Sequence, residues 1–230
     1  MINDGALPDI IRSFWAAGQE WRQILGLTLV MSLLSTAAAA LAGLPAGAVL
    51  ASCRFPGRRL LRRVIQTFMG LPPVVAGLAV FLLLSRKGPL GSLNLLFTLP
   101  AMVIAQFILI FPIIASLTLS AVELRRPLIL ETLRGLGVGR WQEYRLLLWE
   151  CRHALVTVIL AGFGRSISEV GAVMMVGGNI QYKTRVMTTA IMLETSRGNF
   201  TLAIGLGGIL LLIAFAINLL TIRLEERQRV

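Results

Sequence analysis

The sequence predicts an all-α integral membrane protein, and three observations carry that expectation. Charged residues make up 14% of the chain and hydrophobic ones 56%, against about 25% charged in a typical soluble domain. A soluble fold of this size would have too little polar surface to cover such a core. Apolar runs recur at lengths of about 20 residues or more, enough to cross hydrocarbon at about 1.5 Å per residue. The net charge of +11 would suggest nucleic acid in a soluble chain. Here only Lys87 and Lys183 are lysines and the arginines flank apolar runs, the pattern of positive-inside topology.

Residues 1–23 form an N-terminal segment in which Ile10, Ile11, Phe14, Trp15 and Trp21 suit an amphipathic helix at the outer interface. A frayed terminus fits the same residues. Small-residue spacings between Ala37 and Ala42 resemble a signal-peptide cleavage site. The leader before them is long and carries acids as well as Arg12 and Arg22, and the apolar run outlasts an ordinary signal core, so cleavage is not expected. The transmembrane domain, 24–222, holds spans near 24–53, 64–85, 99–122, 153–177 and 199–222. The first contains Pro45 and is expected to be long, tilted or kinked. The second begins irregularly at Pro72-Pro73, which removes two backbone donors inside the apolar run. Pro112 does the same to the third. The fourth alone carries Arg165 and Glu169 inside it, and a tail follows at 223–230.

Placing 54–63, 123–152 and 223–230 on one side gives that side 14 Lys and Arg residues against 7 on the other. The richer side is expected to be cytoplasmic, with the N-terminus outside and the C-terminus inside. Cys53 and Cys151 then sit near the cytoplasmic face, where no disulfide is expected. Neither they nor His153, the single histidine, have the spacing of a metal site. There is no Gly-x-Ser-x-Gly elbow. No Walker loop is present either, since Lys87 follows Arg86 and Lys183 follows Tyr182. The chain is therefore not expected to be an enzyme, to hold a cofactor, or to hydrolyse ATP by that route; active transport would draw on an ion gradient or on a partner.

The loop 123–152 carries the run Glu131-Thr-Leu-Arg-Gly-Leu-Gly-Val-Gly-Arg-Trp-Gln-Glu-Tyr-Arg145 between two apolar stretches. Ile129–Arg134 favours a short helix, Gly135–Gly139 a turn and Arg140–Trp149 a second helix, so the loop presents a rigid knob to a soluble partner. It resembles the cytoplasmic signature of inner-membrane permeases of ATP-binding-cassette importers, which begins Glu-Ala-Ala and places a glycine six residues after the Glu. Glu131 and Gly137 match; Thr132-Leu133 replace the alanines, and Trp149-Glu150 stands where Leu-Pro is usual. Leu71-Pro-Pro-Val-Val-Ala-Gly77, Arg86-Lys-Gly-Pro-Leu-Gly91, Phe111-Pro112 and Gly162-Phe-Gly-Arg-Ser-Ile-Ser-Glu-Val-Gly-Ala172 are similar to the permeases for molybdate, tungstate and sulfate. So are Gly178-Asn-Ile180 and Thr184-Arg185. The Leu-Trp-Glu ending looks closest to tungstate permeases, while Ser168 and Val170 depart from the Gly and Phe common among molybdate relatives.

This resemblance implies a type I importer permease fold with about five transmembrane helices and a cytoplasmic coupling helix, in a bacterial or archaeal inner membrane. It implies a pathway between two copies of the chain, two ATPase subunits below that hold ATP and magnesium, and an oxyanion-binding protein above. Glu131, Thr132, Leu133, Arg134, Gly135, Leu136, Gly137, Arg140 and Trp141 would contact the ATPase, Leu136 in an apolar groove. A gradient-driven carrier or channel, or a membrane scaffold, are the other readings. A carrier would favour inverted repeats, and none is visible.

An uncompensated charge at a span's centre costs roughly 2.5–3.5 kcal/mol. Arg165 and Glu169, four apart, are expected to neutralise each other on one helix face, either as a lock between helices or beside the pathway. Gly171, Met174, Met175 and Asn179 complete the pathway candidates. Thr67, Gln106, Ser116, Thr118 and Ser120 can donate hydrogen bonds to an oxyanion, but the same groups glue helices together, and packing is the expected role. Glycines such as Gly43, Gly47, Gly205 and Gly208 permit close helix approach. Segment 183–198 sets Met187, Ile191 and Leu193 against Lys183, Arg185, Glu194 and Arg197. That pattern fits an interfacial or re-entrant helix capping the pathway, or a plain surface loop.

Overall fold

A computed structural model of the chain describes residues 18–53, 55–134 and 139–226. All regular structure among them is helical. The helices are α1 (Gly18–Ser52), α2 (Arg58–Phe68), α3 (Pro73–Leu84), α4 (Leu99–Arg134), α5 (Arg140–Glu150), α6 (Arg152–Ile167), α7 (Gly171–Gly177), α8 (Met187–Ser196) and α9 (Phe200–Glu226). Three of them, α1, α4 and α9, are long and apolar enough to cross a membrane. Two bent pairs pass the same test, α2 with α3 at 105° and Tyr144–Glu150 with α6 at 67°. The expected all-α membrane architecture is thus present, though several element boundaries differ.

Apolar surface gains nothing by leaving lipid for protein, so helices in a membrane associate through close packing of small residues and through hydrogen bonds. The α1/α4 interface follows this rule. A Cβ on Gly43 would meet Ile114 Cγ2 at 2.9 Å, and one on Gly47 would meet Thr118 Cβ at 2.7 Å and press on the Ala115 carbonyl. Gly47→Ala is expected to cost about 1–3 kcal/mol, the usual range for overpacking, read as a lower unfolding temperature in detergent. An unchanged temperature would mean that the two helices do not approach this closely. Met31, Val80, Met102, Ala105, Val173 and Val176 form a second buried group that joins α1, α3, α4 and α7. Around the C-terminus of α1, Leu50, Ile65, Leu119, Leu147 and Cys151 form another.

The helices divide several of the expected segments. The second span, expected near 64–85, is divided: Val64–Phe68 belong to α2, and the chain turns through 105° before α3. Proline disfavours helix in the residue before it and lacks a donor; Pro72 is extended and Pro73 starts a new helix. The third span, expected at 99–122, lies within α4, which runs through Pro112 and Pro127 to Arg134 and absorbs the short helix expected at 129–134. The fourth span, 153–177, is two helices with Ser168–Val170 between them. Of the two readings of 183–198, the structure has the helix rather than the plain surface loop: α8 buries Met187, Thr188, Thr189 and Ala190, and Met187 and Ala190 pack with Trp21, Ile24 and Leu206. Within the expected segment 1–23, residues 1–17 lie outside the described residues, and 18–23 are continuous with α1.

Candidate functional site

The break between α6 and α7 frees backbone groups that hydrocarbon cannot satisfy, so other parts of the chain must. The Ser166 carbonyl accepts from Gln106 Nε2 at 3.0 Å and from the Glu169 N–H at 3.3 Å. Thr188 Oγ1 donates to the Glu169 carbonyl at 2.8 Å. Ser35 Oγ and Ser166 Oγ share a hydrogen bond of 3.0 Å. Ser168 Oγ donates back to the carbonyls of Gly164 and Arg165. A polar seam through α1, α4, α6 and α8 therefore holds the break open. Gln106 Oε1, Ser32 Oγ and Thr36 Oγ1 are also buried on these helices, with no partner among the described residues.

At this break Arg165 Nη1 lies 2.7 Å from Glu169 Oε2. Glu169 is 3% exposed and Arg165 38%, so the carboxylate is the buried partner and the guanidinium reaches the open surface. The other oxygen, Oε1, accepts the Ala172 N–H at 3.3 Å. The pair does not sit on one continuous helix face, as expected from the spacing of four; Glu169 lies beyond the end of α6, between it and α7.

α7 is two-faced. Ala172, Val173, Val176 and Gly177 are buried, and Gly77 approaches so closely that its Cβ would stand 2.7 Å from Ala172 Cα. Gly171, Met174 and Met175 occupy the opposite, partly exposed face, next to the ion pair: a Cβ on Gly171 would lie 3.6 Å from Glu169 Oε1. Gly171, Met174, Met175 and Asn179 are thus each partly exposed, as is Arg165. Asn179 follows Gly178, both with positive φ (51° and 68°), a conformation that glycine and asparagine adopt most readily. Its Oδ1 is buried without a partner among the described residues. Thr184 Oγ1 ties this turn down by donating to the Gly177 carbonyl and accepting the Ile180 N–H. Arg185 and Gln181 both bind Glu20 of α1, at 2.9 and 3.0 Å.

The hydroxyl candidates divide. Gln106 is part of the seam, Ser116 and Thr118 are buried in the interior, and Thr67 Oγ1 is spent on the Arg63 carbonyl. Ser35, Ser166 and Thr188 were not singled out in the sequence. Their signal was the presence of hydroxyls in apolar runs, which does not separate a seam from ordinary helix glue.

In the second region, Glu131, Thr132, Leu133 and Arg134 are the last residues of α4, and Arg140 and Trp141 the first of α5. Gly135, Leu136 and Gly137 lie outside the described residues, as do the side chains of the other six. The Gln142 side chain accepts the Gly139 N–H at 3.2 Å and so caps the start of α5. The base of this region is tied to the bundle: Arg125 donates to the Glu150 carbonyl and Arg126 to that of Ser52, each at 3.0 Å. Glu123 receives both Arg58 and Arg62 at 2.9 Å.

Residues 43–230 match the model of a family described as the binding-protein-dependent transport system inner membrane component. The tungstate uptake system permease protein TupB of Peptoclostridium acidaminophilum is 42% identical over 203 residues, which cover 88% of this chain and 89% of that protein. A probable anion ABC transporter permease protein of Haloferax volcanii is 41% identical, with 89% and 91% covered. The sulfate transport system permease protein CysW of a Synechocystis species is 32% identical, with 91% and 78% covered. Among solved structures, the inward-facing MetNI methionine ABC transporter aligns with a TM-score of 0.69 at 18% identity, over 96% of this chain and 97% of that one, which shows a shared fold.

Proposed function

This chain belongs to the family of binding-protein-dependent transport system inner membrane components, and from that premise we propose that it is the permease subunit of an ATP-driven importer that carries tungstate into the cytoplasm. The observation that carries the substrate is the gradation among relatives: tungstate permeases at 42% and 37% identity, sulfate permeases at 32% and below. The pathway forms between two copies of the chain in the inner membrane. Two ATPase subunits, which hold ATP and magnesium, dock on the α4–α5 region, and an oxyanion-binding protein delivers substrate at the opposite face. This chain supplies no nucleotide site. Closure of the ATPases and docking of the binding protein each bias one of two states, and access to the pathway alternates between them.

Arg165, Gly171, Met174, Met175 and Asn179 line that pathway. Arg165 offers its guanidinium to a dianion, and Glu169, buried behind it, reduces the net attraction so that the anion passes rather than lodges. Affinity resides in the binding protein. ATP-dependent tungstate accumulation by proteoliposomes holding permease, ATPase and binding protein tests this reading. Uptake that excess sulfate leaves unchanged and excess tungstate suppresses is the expected result; equal suppression by both would refute the assignment of tungstate, and uptake without ATP the whole scheme.

The excess of Lys and Arg on one side supports a topology with residues 54–63, 123–152 and the C-terminus in the cytoplasm and 183–198 outside. Gly57 is a poor site for a reporter cysteine, since its φ of +84° strains any side chain. Cys53 is exposed and Cys151 buried, so Cys53 itself reports that side. A membrane-impermeant thiol reagent applied outside intact cells should spare Cys53 and label Asn199→Cys. Labelling of Cys53 from outside would reverse the orientation.

A further inference from the structure

α2 divides cleanly along its length. Leu60, Leu61, Val64, Ile65 and Phe68 occupy one stripe, and Arg58, Arg59, Arg62 and Arg63 occupy the other, with no acid in the helix. Only Ile65 is buried in the bundle. Leu60 is 67% exposed, and Leu61, Val64 and Phe68 between 42% and 47%. The arginines split as well. Arg58 and Arg62 are held by Glu123 of α4, whereas Arg59 and Arg63 are exposed and form no ion pair with a described residue.

Direction completes the picture. α3 is apolar at all 12 positions and belongs in hydrocarbon, and α2 leaves it at 105°, so that with α3 along the membrane normal α2 lies close to the membrane plane. A helix with an apolar stripe on one side and arginines on the other, lying in that plane, sinks its stripe to the acyl boundary and keeps its charges among the headgroups. We infer that α2 is an in-plane anchor whose Arg59 and Arg63 bind the phosphates of anionic phospholipids, while Arg58, Arg62 and Glu123 clamp it to α4. A second copy of the chain does not suit this face, because a two-fold contact would set one arginine row beside another. The leaflet, cytoplasmic, rests on the topology proposed above.

The test uses the chain as it assembles, reconstituted with Cys53→Ser and a bimane fluorophore on Leu60→Cys. Vesicles contain either brominated phosphatidylglycerol or brominated phosphatidylcholine as the quenching lipid, at equal mole fraction in both leaflets. A reversed orientation or a different transported anion therefore leaves the outcome unchanged. Each basic residue near an anionic surface strengthens association about fivefold, so phosphatidylglycerol should quench several-fold more strongly. Arg59→Gln with Arg63→Gln should level the two lipids while both still quench, since the stripe remains at the acyl boundary. Equal quenching before that substitution would overturn the headgroup site. No quenching by either lipid would show the stripe covered by protein, an ATPase or a second copy, and overturn the anchor.

Discussion

Glu131→Lys is expected to abolish ATP-driven tungstate uptake while leaving the chain folded in the membrane. Glu131 lies in the last turn of α4, where the helix dipole disfavours an acid and favours a base. The substitution therefore suits the helix itself, and lost transport would report the contact with the ATPase rather than unfolding. Gly137→Pro should have the same effect, through loss of the contact expected of the neighbouring Leu136. The measurement is paired: uptake into proteoliposomes falls to background, and stimulation of ATP hydrolysis by the loaded binding protein disappears, at normal permease content. Full stimulated hydrolysis with uptake in either variant would remove the coupling role from this region.

The second large effect is expected at the α6–α7 break and is asymmetric. Arg165→Gln strands Glu169, 3% exposed, as a buried carboxylate; breaking a buried pair in this way costs about 3–5 kcal/mol. Glu169→Gln strands only the half-exposed guanidinium and keeps an oxygen for the Ala172 N–H, so its loss should be smaller. The double substitution should recover much of the protein level lost with Arg165→Gln. A double-mutant cycle read by protein level and uptake checks both statements. Strictly additive losses would deny the pair, and normal uptake in both single variants would take these residues out of the pathway.

The Glu131–Gly137 spacing and the Leu71–Gly77 and Gly162–Ala172 runs carried the resemblance to importer permeases, and family membership and fold agree with it. Pro72-Pro73 marked an irregularity and the structure turns there. The third run, placed at 99–122, is part of a longer helix, since α4 continues through Pro127 to Arg134. The sequence between His153 and Gly177 holds no proline, and the cluster Arg165-Ser-Ile-Ser-Glu169 reads equally as an ion pair at helical spacing, so it did not by itself mark the break at Ser168–Val170. For 183–198, the amphipathic pattern left a helix and a surface loop open, and the structure has the helix α8, with Arg185 before it taken up by Glu20, 165 residues away in the chain.

The sequence by itself determined the medium, the helical class, the number of apolar runs and the family, because each depends on composition or on spacing within one segment. Only the tertiary structure decided that the fourth run is broken. The carbonyls freed at Ser166 and Glu169 can exist in hydrocarbon because Gln106 and Thr188 arrive from α4 and α8 to bind them. It alone decided that Glu169 lies behind Arg165 at that break, and that α2 keeps two of its arginines for Glu123 and leaves two facing out. Local sequence sets what a segment can tolerate, while a break in a membrane helix is set by partners far along the chain, since lipid offers the backbone none.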